Sequence, residues 1–326
     1  MDGKKKKYIA FLLLLLVIVS GLSLCTGLIS LAPDRLLTGR LSPLEQKVLL
    51  QLRLPRLLMS LGAGAALSLS GTVLQGVFGN PLVDPGILGV SSGASLGAVV
   101  ILCLGLAERQ YFWLPSGAFA GALGTASLVA LLGRSRALGG RTKLLLSGVA
   151  VGLFCNALTT ALLSVAPEAV MRQYFFWTLG SLASVTWQQV ELLLPPLLLI
   201  CCAGCLWGRQ LNVLSLGEEQ ALAVGLDVRF WRRLLLAGMS FLMALSVCGV
   251  GNIGFVGLCV PHMLRLLLGP DHGLLLPASA LGGALFLTLC DCLGRLLVPG
   301  MEIRAGIVTA LFGAPYFLYL LRSFRS

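Results

Sequence analysis

Apolar runs of membrane length alternate with short polar stretches along almost the whole chain. A helix needs about 20 apolar residues to cross the hydrocarbon core. Ten runs are read as spans: 8–29, 54–76, 87–106, 113–132, 144–165, 190–207, 234–250, 257–269, 274–298 and 305–321. The eighth is short and is reached through 249–257, a turn holding four glycines. The stretch 53–97 organises the rest. An apolar helix begins beside Arg53 and Arg56, breaks at Gly79-Asn80-Pro81, turns again at Asp84-Pro85-Gly86, and resumes through Ser91-Ser92-Gly93. Irregular backbone at membrane depth is tolerated only where protein or a watery cavity surrounds it, so this hinge predicts a pathway through the bilayer. Gly62, Ala66 and Ser70 recur at four-residue spacing, as do Gly64 and Ser68, which makes a face for close helix approach in lipid.

The polar stretches divide into two sides. Residues 30–51, with Arg35, Arg40 and Lys47, are expected to form the first outer loop. Residues 167–187, rich in Tyr, Phe and Trp, belong near the outer interface, where such rings anchor. The longest polar stretch inside the chain, 208–233, falls on the inner side. Ten spans put both termini on one side. That side receives 15 of the 24 lysines and arginines, including Arg134, Arg136, Arg141 and Lys143, and the excess marks it as cytoplasmic. The first apolar run is too long for a signal-peptide core and has no small-x-small cleavage site after it, so it reads as an uncleaved span.

Composition agrees. The chain is 57% hydrophobic and 11% charged, against about 25% charged in soluble domains, and its mean hydropathy is +0.94. The net charge of +11 is scattered over span ends and carries no nucleic-acid signal. The ten cysteines lie almost all in apolar runs and read as small packing residues. No G-x-x-x-x-G-K-[ST] occurs, and Gly139-Gly140-Arg141-Thr142-Lys143 has the wrong spacing for a phosphate loop. Any nucleotide that drives this protein binds another chain.

Few polar residues remain as candidates for function. In 211–225, Ser215 and Glu218 fit a capping box and Gly225 a helix stop. The helix so framed is either an ordinary loop helix or a lever that docks on a cytoplasmic partner. Arg53, Arg56 and Arg295 sit at outer span ends, where they either snorkel to headgroups or present a docking surface to an acidic partner. Asp291 lies one helical turn before Arg295 and is expected to pair with it. His262, behind Pro261, is read as structural. A secondary transporter coupled to an ion gradient is the alternative. It needs paired carboxylates in the membrane, for which Asp291 alone is a candidate. A membrane enzyme needs a catalytic pair, and none stands out.

Several stretches together resemble the FecCD family, the permease subunits of ABC importers for iron–siderophores, haem and cobalamin. They are Arg53-Leu-Pro-Arg56, the run from Gly79-Asn-Pro-Leu-Val-Asp-Pro-Gly to Ser-Ser-Gly93, Leu144-Leu-Leu-Ser-Gly-Val-Ala, and Leu214-Ser-Leu-Gly-Glu-Glu. Gly254-Phe-Val-Gly-Leu-Cys-Val-Pro-His262 with Arg265, Asp271-His272, and Gly306-Ile-Val-Thr-Ala-Leu-Phe-Gly-Ala-Pro315 complete the set. The resemblance implies an all-α polytopic protein of type II importer architecture. Residues 1–326 would form one permease domain of about ten transmembrane helices, in the bacterial cytoplasmic membrane. It implies a dimer with a second permease, the same chain or a related one, two cytoplasmic ATPases and an external substrate-binding protein. This chain would bind no cofactor, with ATP and magnesium held by the ATPases. The cargo would be a metal chelate, a ferric siderophore first, with haem and cobalamin as the other options. Arg53, Arg56 and Arg295 would meet glutamates of the binding protein. Asn80, Leu82 and Thr142 would line a cytoplasmic gate, and Ser215, Leu216, Gly217, Glu218 and Glu219 would couple to the ATPase. Glu302-Ile-Arg-Ala-Gly306 departs from the family pattern, with Arg304 standing where a proline is usual.

Overall fold

The computed structural model describes residues 3–27, 29, 31–110, 112–133, 140–298 and 300–323. Among these every regular element is helical. Helix α1 spans Gly3–Cys25, and α2 (Pro33–Thr38) and α3 (Pro43–Lys47) follow it. Next come α4 (Leu54–Phe78), α5 (Val90–Cys103), α6 (Trp113–Leu132) and α7 (Gly140–Val165). They are followed by α8 (Glu168–Thr178), α9 (Trp187–Cys205), α10 (Gly208–Ser215) and α11 (Glu218–Ala223). Last are α12 (Val228–Val250), α13 (Val256–Leu268), α14 (His272–Leu296) and α15 (Ala305–Ser323). Seven helices are long and apolar enough to cross a membrane, and α5, α13 and α15 are shorter apolar helices, which accounts for all ten expected spans.

Helix α4 is the axis of the bundle. Every residue from Ala66 to Phe78 is buried, as befits a helix apolar all round. It packs against α14, α12, α13 and α9. The predicted small-residue face makes one close contact, since a Cβ on Gly64 would lie 2.4 Å from the Gly283 carbonyl of α14. Gly71, outside the predicted set, comes closer still, since a Cβ there would lie 1.8 Å from the Gly257 carbonyl. Some of the polar side chains of α4 find partners within the bundle, although the Ser68 and Ser70 hydroxyls find none among the described residues. Ser60 and Thr288 share a hydroxyl hydrogen bond of 2.8 Å, and Gln75 Nε2 donates to the carbonyls of Gly257 and Leu258. Helices α5 and α6 form a second glycine seam, Gly93 and Gly97 against Gly117 and Gly121. Tight packing and interhelical hydrogen bonds replace the hydrophobic effect, which does not hold helices together in lipid.

Three expectations change. The first span ends at Cys25, before residue 29. The expected outer loop 30–51 is largely helical, with a full capping box at Ser42 and Glu45 starting α3. From there helix runs into α4 through a π turn at Val48–Arg53, and this wider turn accommodates Pro55, which cannot donate to the ladder. The polar stretch 208–233 is likewise filled by helices, because Asp227 Oδ1 accepts from the Arg229 and Phe230 amides and starts α12 early. The aromatic stretch 167–187 contains α8, an exposed helix. Arg304 lies just before α15 with its guanidinium 4.7 Å from the Phe176 ring. It anchors the start of the last span to α8, where a proline would have fixed it from within. Arg134, Arg136, Arg325 and the side chains of Lys4, Lys6 and Arg141 lie outside the described residues.

Candidate functional site

The end of the bundle opposite the N-terminus carries an arginine cluster. Arg56 grips Asp291 with Nε and Nη2 at 2.9–3.1 Å and reaches Glu302 with Nη1 at 2.9 Å. Arg295 pairs with the same Asp291 at 3.2 Å, the i,i+4 contact that the spacing predicts. It also donates to the carbonyls of Ser23 and Thr26 at 3.0 Å and to Ser23 Oγ at 2.7 Å. Arg53 donates to the carbonyls of Leu24 and Ile29. The last carbonyls of a helix have no partner within it, and the helix dipole favours cations there. Two arginines thus cap α1 from α14 and from the turn before α4.

All three arginines expected at the outer surface are therefore turned inward. Arg53 and Arg295 are 5% and 8% exposed, and the Arg56 side chain is 12% exposed. The sharing of Asp291 between two guanidiniums, and the part played by Glu302 and by α1, were not visible in the sequence. The available signal was that Asp291 and Glu302 lie within a few residues of Arg295 in the chain.

The other end holds the broken-helix turn and the polar helices. Gly79, at φ +63, closes α4, and Asn80 N donates to the Gln75 carbonyl. Asn80 Oδ1 accepts from Leu82 N at 2.9 Å and Asp84 Oδ1 from Gly86 N at 2.7 Å. The hinge is thus a pair of side-chain-stabilised turns. Asn80 and Thr142 are exposed and Leu82 half-buried. Helix α7, which begins beside Thr142, lies against this turn: a Cβ on Gly148 would sit 2.1 Å from the Ile87 carbonyl.

Helices α10 and α11 stand beside the turn. The predicted capping box does not form. Ser215 ends α10, and its Oγ donates to the Asn212 carbonyl at 2.6 Å. Glu218 instead forms an ion pair with Arg232 of α12. The expected single helix over 214–225 is two helices joined at Gly217, whose φ of +113 a side chain would oppose. The predicted stop holds: Leu226 N donates to the Ala221 carbonyl past Gly225, at φ +83. Leu211, Leu214 and Ala221 are buried in the bundle, whereas Leu216, Leu222 and Val224 are 63%, 59% and 66% exposed.

A polar clamp fixes this unit. Asn212 Nδ2 donates to Asp271 Oδ1 at 2.7 Å, and Asn212 Oδ1 accepts from His272 N at 2.8 Å and meets His272 Nδ1 at 2.8 Å. Asp271, outside the spans, has its carboxyl held below the usual value, first by the Asn212 donor and then by Gly273 N. His262 is buried within α13, its ring centroid 6.4 Å from that of Tyr316. Among the described residues no His, Cys, Asp and Glu cluster could hold a metal.

A bundle of ten apolar helices, broken at a hinge and carrying a braced helical pair with an apolar tip, defines a polytopic membrane permease. The chain belongs to the FecCD transport family, whose pattern it matches over residues 13–323. It thus has the type II ABC importer permease architecture. It is 41% identical over 318 residues to the vitamin B12 import system permease protein BtuC of Salmonella typhimurium, covering 97% of this chain and 94% of that protein. The BtuC of Salmonella newport matches equally over the same span. A solved metal-chelate type ABC transporter in an inward-facing conformation superposes with a TM-score of 0.89 at 36% identity, covering 98% of this chain and 99% of that one.

Proposed function

We propose that this chain is the membrane path of an ATP-driven importer for a large metal chelate. The observation that carries the reading is the α10–α11 unit. It offers Leu216, Leu222 and Val224 to solvent, while Asn212 and Glu218 tie it to α14 and α12. An apolar tip on a rigid base suits a cleft in a partner that moves, and a push there reaches the bundle. The partners are two ATPases at this end, which hold the ATP and magnesium, with Ser215, Leu216, Gly217, Glu218 and Glu219 at the contact. A second permease chain completes the path, and Asn80, Leu82 and Thr142 line its inner gate. That end, with both termini, faces the cytoplasm. This chain itself makes and breaks no bonds.

An external binding protein docks at the arginine end. Arg56 and Glu302 form its accessible corner, and engagement of Arg53 and Arg295 requires their release from the α1 carbonyls and Asp291. Ion-gradient coupling is disfavoured, because it needs paired carboxylates in the membrane, and Asp291, the candidate the sequence offers, is already engaged by two guanidiniums. For the cargo, the names of the relatives favour cobalamin over the ferric siderophore or haem expected by resemblance. The test is ATPase activity of the assembled complex in nanodiscs. Stimulation by binding protein loaded with cobalamin, exceeding that with a ferric siderophore, supports the reading. The reverse order keeps the importer and changes the cargo. No stimulation by any loaded binding protein overturns the importer assignment.

A further inference from the structure

A cleft of about 830 Å³ opens between α6, α7 and α12, with its mouth beside the α11 unit. Its floor is apolar: Leu123, Ala126 and Ala130 of α6 and Phe241 of α12. The α6 residues recur at three- and four-residue spacing, so their small side chains form a continuous trough. Its mouth holds Arg229, Arg232 and Arg233, at i, i+3 and i+4 on one face of α12. Arg229 and Arg233 are exposed, and among the described residues neither has a carboxylate partner. Arg232 is the residue that pairs with Glu218 of α11. Phe241 lies eight residues beyond Arg233, about 12 Å deeper along the helix.

We propose that this cleft is a binding site for an anionic phospholipid, with the phosphate among the arginines and an acyl chain in the trough. The geometry requires both parts. Two guanidiniums with no carboxylate partner among the described residues, at the first turns of a membrane helix, call for a phosphate, which they bind bidentately. A trough that continues below them into the hydrocarbon level calls for a chain attached to it. Basic pockets between transmembrane helices hold anionic headgroups in this manner. Because Arg232 also holds Glu218, an occupied site shares that arginine with the α11 unit.

The full chain, purified from a bilayer of equal phosphatidylglycerol and phosphatidylcholine, is examined by native mass spectrometry for retained lipid. One retained phosphatidylglycerol per chain is expected, in preference to phosphatidylcholine. Arg229→Gln with Arg233→Gln should weaken that preference by roughly fivefold per arginine, about 25-fold together. Ala130→Trp, which fills the trough and leaves the arginines, should expel the lipid, whereas Arg229→Lys with Arg233→Lys should keep it. Equal retention of both lipids by the unaltered chain, or retention unchanged in both the glutamine and tryptophan variants, would overturn the proposal. So would displacement by tailless glycerol 3-phosphate as effective as by phosphatidylglycerol.

Discussion

Asp291→Asn tests the arginine cluster most sharply. Asp291 is 2% exposed and accepts from Arg56 and Arg295 at 2.9–3.2 Å. Asparagine keeps the shape but removes the charge and half of the acceptor capacity. Glu302 is then the remaining carboxylate of the cluster, and it reaches Arg56 and not Arg295. Removing one partner of a buried pair costs about 3–5 kcal/mol, because it leaves an uncompensated charge. Neither arginine can swing to water without giving up contacts that order the cluster, and for Arg295 these include its bonds to α1. The expected loss therefore falls in that range. The assay is equilibrium unfolding in mixed micelles, with the double variant Asp291→Asn and Arg295→Met alongside. The double variant should recover a part of the loss, since it removes one of the stranded charges. A single-variant change below about 1 kcal/mol, or a double variant worse than the sum of the singles, would refute the view that Asp291 neutralises this site.

Other perturbations read out different parts of the structure. Gly97→Val should wedge α5 from α6, since its Cβ alone would meet the Gly117 carbonyl at 2.0 Å. A loss of about 1–3 kcal/mol or more is expected, whereas Gly124→Ala, with nothing within 4 Å, should be neutral in the same melts. Glu218→Arg should lower the ATPase stimulation of the assembled complex, and adding Arg232→Glu should restore part of it if the pair transmits motion. The clamp is sensitive to acid. The folded Asp271 carboxyl lies below its ordinary value, so its contribution is present above the unfolded value and is lost as pH falls through the folded one. Asn212→Ala removes the largest cause and should move that loss to higher pH, as followed by a fluorine label on Ser215→Cys.

The ten spans were legible because apolar length and small-residue spacing act locally, and a membrane leaves the backbone little choice but helix. The hinge at Gly79 to Gly86 and the stop at Gly225 were legible for the same reason, since glycine and proline constrain their own neighbours. The capping box at Ser215 failed because one tertiary and one local partner competed for its members. Arg232 took Glu218, and Asn212, itself bound to Asp271, offered its carbonyl to Ser215. The arginines were placed at the correct span ends, but their burial depends on where α1 stops. That is decided by carbonyls that carry no side-chain signature. Helix α8 and the π turn before α4 were hidden in stretches that read as loop, because short amphipathic helices at an interface lack the long apolar run of a span.

Uptake in proteoliposomes tests the central claim, that this bundle moves its cargo on ATP energy delivered through α10–α11. The chain is reconstituted with its ATPase and binding protein, and labelled cobalamin is followed with ATP present, absent, or replaced by an imposed proton gradient. The account predicts accumulation that requires ATP, ignores the gradient, and is lost on charge reversal of Glu218 and Glu219. Accumulation without ATP that collapses when the gradient is discharged would contradict it.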